Sequence, residues 1–211
     1  MMRLYDNLSS GNAYKVRLLL HQLGKEFERI EKDIDRGETR TPEFLRINPN
    51  GRVPVLEVEP GVHLAESNAI IWYLAEGTAY LPGDRLDRAR VLRWLCFERA
   101  LTPAVAGARF EVMTGRTGAD TPFLLQSGRE ALWTLEQRLT GRDWVALDAP
   151  TIADVALFGY THVARDAGFD LDALPAVRAW LDRVRELPGY VNDLVPYPAN
   201  ARPEASLSIY D

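Results

Sequence analysis

Val16, Leu19, Leu20 and Leu23 recur at i, i+3, i+4 and i+7, the spacing of one helical face. Ahead of them, Arg3 to Asp6 is short and partly apolar and runs into the turn-rich stretch Asn7 to Asn12, so a strand is predicted to lead into a loop. Gly24 supplies the stop after the helix. Phe27-Glu28-Arg29-Ile30 alternates apolar and polar and predicts a second strand. Thr41-Pro42-Glu43 opens a helix, because Thr41 can cap it and Pro42 lacks only an N–H that has no partner in the first turn. Phe44, Leu45 and Ile47 then face inward. Val53 to Val58 and Val62 to Leu64 flank the Pro60-Gly61 turn and predict a hairpin. Ser67 is read as the cap of a helix that carries Ile70, Ile71 and Leu74 and is closed by Gly77. The order strand, helix, strand, helix, strand, strand, helix predicts a small α/β layer over residues 1–78.

The pattern then changes. Tyr80-Leu81-Pro82-Gly83-Asp84 marks a linker, taken as residues 79–86, and residues 87–211 show helical periods with no convincing strand. Val91, Leu92, Leu95 and Cys96 mark one helix; Leu124, Leu125, Leu132, Leu135 and Leu139 a second. Ile152, Val155, Ala156, Gly159 and Val163 mark a third, and Val177, Trp180, Leu181 and Val184 a fourth. An α/β unit followed by an all-α unit is therefore expected. Pro196 to Asp211 holds three prolines and few core residues and reads as an irregular tail.

Composition narrows the function. With 211 residues, 46% of them apolar, the chain can bury a sizeable core. Its net charge of −5 argues against a general nucleic-acid surface. A single cysteine, Cys96, permits no internal disulfide and fits a reducing compartment. No apolar run approaches the roughly 20 residues of a bilayer span, and the first residues have no signal-peptide core, so a cytoplasmic protein is expected, with no membrane partner.

Three stretches carry candidate chemistry. Val53-Pro54 opens a strand; a cis bond there would turn the Val53 N–H and C=O toward an extended peptide, which could pair with them as an added strand. The position ahead of a hairpin makes the cis form the expectation. Glu66-Ser67 opens a helix whose N-terminal N–H groups and dipole favour a ligand carboxylate, while Glu66 suits a ligand ammonium. Ser9 and Ser10 lie between the first strand and first helix, where a hydroxyl donating to a ligand sulfur favours thiolate over thiol. Together they suggest a site for a small anionic thiol peptide. Thr151-Ile152-Ala153-Asp154 is a capping box with a structural role. His21, His63 and His162 show no ligand spacing, so no metal site is expected, and Cys96 is read as a buried structural thiol.

On these residues the chain resembles the cytosolic glutathione transferases over its whole length, most specifically in Pro49 to Leu56, Glu66-Ser67 and the Thr151–Asp154 box. The resemblance implies a thioredoxin-like N-terminal domain followed by an all-helical C-terminal domain. It implies that Val53, ahead of cis-Pro54, pairs with the cysteinyl backbone of glutathione and that Glu66 and Ser67 hold its γ-glutamyl end. Arg52, where many relatives have Gln or Thr, is assigned the glycine carboxylate. Registering Tyr14-Lys15-Val16-Arg17 on serine-type theta, zeta and delta members puts their serine on Ser10. The same register on the Nu class puts a threonine on Ser10 and an asparagine on Asn12. Zeta members carry Ser-Ser-Cys where this chain has Ser10-Gly11-Asn12, which points away from maleylacetoacetate isomerase chemistry. The leading expectation is a detoxifying transferase in which Ser10, with Asn12, holds the glutathione thiolate for attack on a small hydrophobic electrophile. Leu8, Phe110 and Met113 are its candidate lining, with Arg99 and Arg109 facing the same cleft. The alternative is a Nu-type glutathione-dependent disulfide reductase; from another class, a non-catalytic binding module. The resemblance also implies a homodimer. The segment Tyr197 to Tyr210 either covers the cleft or is mobile.

Overall fold

The computed structural model describes residues 1–116, 118–198 and 201. The N-terminal unit runs β1 (Met2–Asp6), α1 (Gly11–Gln22), β2 (Phe27–Glu31), α2 (Pro42–Ile47), β3 (Val55–Glu59), β4 (Val62–Ala65) and α3 (Ser67–Ala75). A one-turn 3-10 segment, Glu38–Arg40, precedes α2. The sheet order is β2-β1-β3-β4, with β1 parallel to β2 and antiparallel to β3, and β3 antiparallel to β4. The second unit is helical: α4 (Arg85–Thr114), α5 (Thr121–Leu139), α6 (Ile152–Thr161) and α7 (Pro175–Arg185). The predicted fold class, an α/β unit followed by an all-α unit, is the one observed. Residues 199, 200 and 202–211, most of the predicted tail and Tyr210 with it, lie outside the described residues.

Most caps follow from the sequence. Thr41 Oγ1 accepts from the Phe44 N–H at 3.2 Å, with Pro42 in the first turn. The Thr151 box forms in full: Asp154 accepts from the Thr151 N–H at 2.9 Å, and Thr151 Oγ1 accepts from Ala153. Asp154 also accepts from the Val145 N–H and from Trp180 Nε1, so this fully buried carboxylate ties α6 to α7 and to the loop before it.

Two expectations need correction. Cys96 is exposed, not buried. The buried stripe of α4 runs through Val91, Leu95, Glu98 and Thr102. One step past Leu95 is a turn of about 100°, which puts Cys96 on the same open line as Leu92 and Arg99. Ser67 is not the cap of α3 but its first helical residue; Glu66 holds the cap position and no side chain caps the helix.

Helix α1 shows why amphipathic reading underestimates burial. The spacing predicts one apolar face, yet Gly11 and every residue from Ala13 to Leu20 are buried, including Lys15 and Arg17. The helix packs against α3 and α6, and one apolar core runs from Leu4 of the sheet through α1 to Phe158 and Trp180. Close approach of α1 and α6 depends on two glycines. A Cβ at Gly159 would stand 2.5 Å from Lys15 Cγ, and one at Gly11 would stand 2.6 Å from the Tyr160 ring.

Candidate active site

The predicted stretches converge on one cleft. Asn12, Asn48, Arg52, Val53, Pro54, Glu66 and Ser67 line a cavity of about 80 Å³ at the N-terminal ends of α1 and α3. The Val53-Pro54 bond is cis, as expected. The cavity opens beside a wider cleft of about 490 Å³ between α3 and α4, lined further by Trp72, Leu92, Cys96 and Arg99.

Each wall has a local cause. Asn48 pins the loop behind α2: its Nδ2 donates to the Arg52 carbonyl at 2.7 Å and its Oδ1 accepts from the Asn50 N–H at 3.1 Å. Gly51 carries φ +61 in this turn, a conformation that favours glycine. Asn50 reaches across to Glu66 Oε1 at 3.3 Å. Glu66 itself has φ +70, the only non-glycine with positive φ among the described residues. Such a backbone persists only where its surroundings hold it, and it clusters at ligand sites. Because no side chain caps α3, its first N–H groups and the positive end of its dipole face the cavity undiminished.

Beneath the cavity lies a buried polar chain. Ser67 Oγ donates to Asn12 Oδ1 at 3.4 Å and accepts from Lys15 Nζ at 3.5 Å. Lys15, fully buried, forms an ion pair with Glu98 of α4. Glu98 is held in turn by Thr102 and by Asn68 Nδ2 at 3.2 Å. Burial drives the Lys15 pKa down, and the charge of Glu98 opposes that shift. The floor of the cavity is thus fixed by three helices at once.

The first loop resolves the two serines. Ser9 Oγ donates to Asn7 Oδ1 at 2.6 Å, and Asn7 in turn donates to the Lys32 carbonyl at 2.9 Å, so Ser9 is committed to holding the loop. Ser10 is the N-cap of α1 and its Oγ accepts from the Ala13 N–H at 3.2 Å. Acceptance uses a lone pair and leaves the hydroxyl hydrogen to donate elsewhere. Ser10 does not line the cavity; Asn12 does.

The candidate electrophile residues fall elsewhere. Leu8 accepts through its carbonyl from the Val195 N–H at 3.1 Å, and the Phe110 ring meets Tyr197 edge-on at 5.3 Å. Arg109, also buried, faces Tyr197 with its guanidinium 4.8 Å from the ring centre. Met113 is half-buried one turn further along α4. Arg99 departs from this group and lines the wider cleft on the α3 side. Among the described residues no cluster of His, Cys, Asp or Glu could hold a metal, and no helix is long and apolar enough to cross a membrane.

Sequence reasoning gave no role to Asn48, Asn50, Lys15, Glu98 or Asn68. Asn48 was findable, since an Asn two residues before another turn residue bonds its backbone at i+2. Lys15 and Glu98 gave no signal, because their partners are 83 residues apart.

Residues 1–76 match the family model "Glutathione S-transferase, N-terminal domain" and residues 123–188 the model "Glutathione S-transferase, C-terminal domain". A maleylacetoacetate isomerase of Pseudomonas aeruginosa is 32% identical, covering 94% of this chain and 97% of its own length. The disulfide-bond oxidoreductase YfcG of Escherichia coli is 28% identical over 84% of this chain and 87% of its own. A crystal structure of a possible glutathione S-transferase from Rhodopseudomonas palustris superposes at TM-score 0.85 with 48% identity, covering 92% of this chain and 99% of that one. A glutathione transferase family member from Pseudomonas fluorescens, solved with two glutathione molecules bound, superposes at TM-score 0.78 with 26% identity, each chain being covered to 89%. The chain belongs to the glutathione S-transferase family.

Proposed function

We propose that this chain binds glutathione in the cavity between the first loop, the Val53-Pro54 turn and the start of α3, and transfers it to a small hydrophobic electrophile. The observation that carries the reading is the meeting of Asn12, Arg52, Val53, Pro54, Glu66 and Ser67 around one cavity at two helix N-termini. Ser67 and the uncapped turn of α3 receive the γ-glutamyl carboxylate, and Glu66 its ammonium. Val53 pairs with the cysteinyl backbone as an added strand would, and Arg52 takes the glycine carboxylate. The sulfur then lies toward the N-terminus of α1, where the Ser10 hydroxyl donates to it and Asn12 flanks it. The thiol proton leaves to solvent. The thiolate attacks an electrophilic carbon, the C–S bond forms, and the leaving group departs with its electron pair. The protein contributes positioning and a lowered thiol pKa, since the ligand itself is the nucleophile.

The test is an ultraviolet titration of bound glutathione. The wild type should ionise the thiol about two units below its free value of about 8.5, and Ser10→Ala should move that midpoint back up. An unchanged midpoint removes Ser10 from the mechanism.

A second reading, glutathione-dependent disulfide reduction, is favoured by Asn12, which lines the cavity where Ser10 does not. There the thiolate attacks a disulfide sulfur, the S–S bond breaks, and a second glutathione releases oxidised glutathione. Assaying hydroxyethyl disulfide beside a chloronitrobenzene separates the two. Binding of partners with no turnover of either would favour a non-catalytic module. We further propose a cytoplasmic homodimer, in which the half-exposed Val62, Tyr73 and Leu92 lie at the subunit contact.

A further inference from the structure

The segment after α7 folds back over the first loop and the far half of α4. Tyr14 Oη donates to the Val191 carbonyl at 2.6 Å, and Arg17, fully buried on Asp6, grips Asp193 at 2.9 Å. Beyond these anchors, Val195 bridges Leu8 and Arg109, donating to the first and accepting from Nη2 of the second at 3.4 Å. Tyr197 then sets its ring edge-on to Phe110 and beneath the Arg109 guanidinium. Through Val195 and Leu8 the segment is tied to the first loop two residues before Ser10, whose hydroxyl is proposed to meet the thiolate.

Arg109 is poorly served there. It is 1% exposed, yet its Nη1 has no acceptor. Its Nε reaches the half-exposed Asp166 at 3.3 Å, and its Nη2 the Val195 carbonyl at 3.4 Å. Charge-assisted bonds to carboxylate run at about 2.7–2.9 Å. Asp166 occupies the Nε edge, so the Nη1–Nη2 edge keeps two parallel donors, the fork that fits a carboxylate.

We propose that Val195 and Tyr197 fill the electrophile subsite as a stand-in, and that the subsite takes a flat conjugated electrophile bearing a carboxylate, read by the Nη1–Nη2 edge of Arg109. The tail supplies what such a substrate would bring: a planar ring against Phe110 and an oxygen on the guanidinium. This rests on the glutathione reading above.

The test measures binding of S-benzylglutathione and S-(4-carboxybenzyl)glutathione to the full chain by calorimetry, with glutathione alone beside them. The wild type should bind the carboxylated conjugate at least fivefold tighter than the plain one, and Arg109→Gln should erase that ratio. Tyr197→Ala, a change in a half-buried segment that leaves the core alone, should tighten both conjugates severalfold. Equal binding of the two conjugates by the wild type, or unaltered affinities in Tyr197→Ala, overturns the inference while glutathione binding stands. Absence of binding by glutathione and by both conjugates overturns the earlier reading as well.

Discussion

Lys15 decides much of the site although it does not line the cavity. Its ammonium is buried against Glu98, and it also reaches Ser67 Oγ at 3.5 Å. Removing one partner of a buried pair leaves the other charge without compensation, at a cost of about 3–5 kcal/mol. Lys15→Met should lose stability of that order in urea unfolding, and Lys15→Met combined with Glu98→Leu should recover most of it. A loss in the single variant below about 1 kcal/mol would show that the pair is not the organising contact. At this scale the sequence was only partly legible. Val53, Pro54, Glu66 and Ser67, which line one cavity, stand out in the sequence because a helix start and a strand start each have a chemistry of their own. The pairing of Lys15 with Glu98 was hidden because position 15 looks like any polar interruption of an apolar helix face.

Between elements, the crossing of α1 and α6 controls where Ser10 and Asn12 stand. A side chain at position 159 would press on Lys15 Cγ and stand 3.1 Å from the Gly11 carbonyl. Gly159→Ala should therefore lower stability by about 1–3 kcal/mol, as overpacking does, and weaken glutathione binding with it; wild-type stability and affinity would contradict this. His162 lies at the same junction, stacked on Phe158 at 4.8 Å and against Tyr14, with Nδ1 2.8 Å from the Phe158 carbonyl. Burial pushes its pKa down to about 4. The unfolded chain titrates this group near 6.5 and so binds more protons below that pH. Stability is then full above about pH 6.5 and lost as pH falls toward 4, by about 3 kcal/mol. In His162→Phe this part of the acid slope should vanish, as read from urea midpoints at pH 7, 5.5 and 4.5; an unchanged slope would assign it to other groups. Element order was legible from periodicity and turn residues. The total burial of α1 was not, because periodicity reports the face a helix turns to its first neighbour, and α1 has three: the sheet, α3 and α6.

The whole molecule joins two units through α1 and closes the join with the segment after α7. Its face formed by β4, α3 and α4 leaves Val62, Tyr73 and Leu92 about half exposed and the cleft with Cys96 and Arg99 open. Sedimentation at micromolar concentration should give a dimer, and Leu92→Glu should shift it to monomer; a wild-type monomer would contradict the proposed assembly. The misreading of Cys96 belongs to this scale. An apolar-looking Leu92–Cys96 pair satisfies a helix period equally well facing a core or facing open space, and only the packing of α4 against α5 and α6 decides between them. The central claim is that three separate stretches of the first 70 residues cradle one tripeptide. Calorimetric titration of glutathione into the wild type and Ser67→Ala tests it most directly. The account predicts saturable one-site binding at submillimolar concentration in the wild type, weakened about tenfold in the variant, the loss expected for a hydrogen bond to a charged group. No heat and no saturation at millimolar glutathione would contradict it.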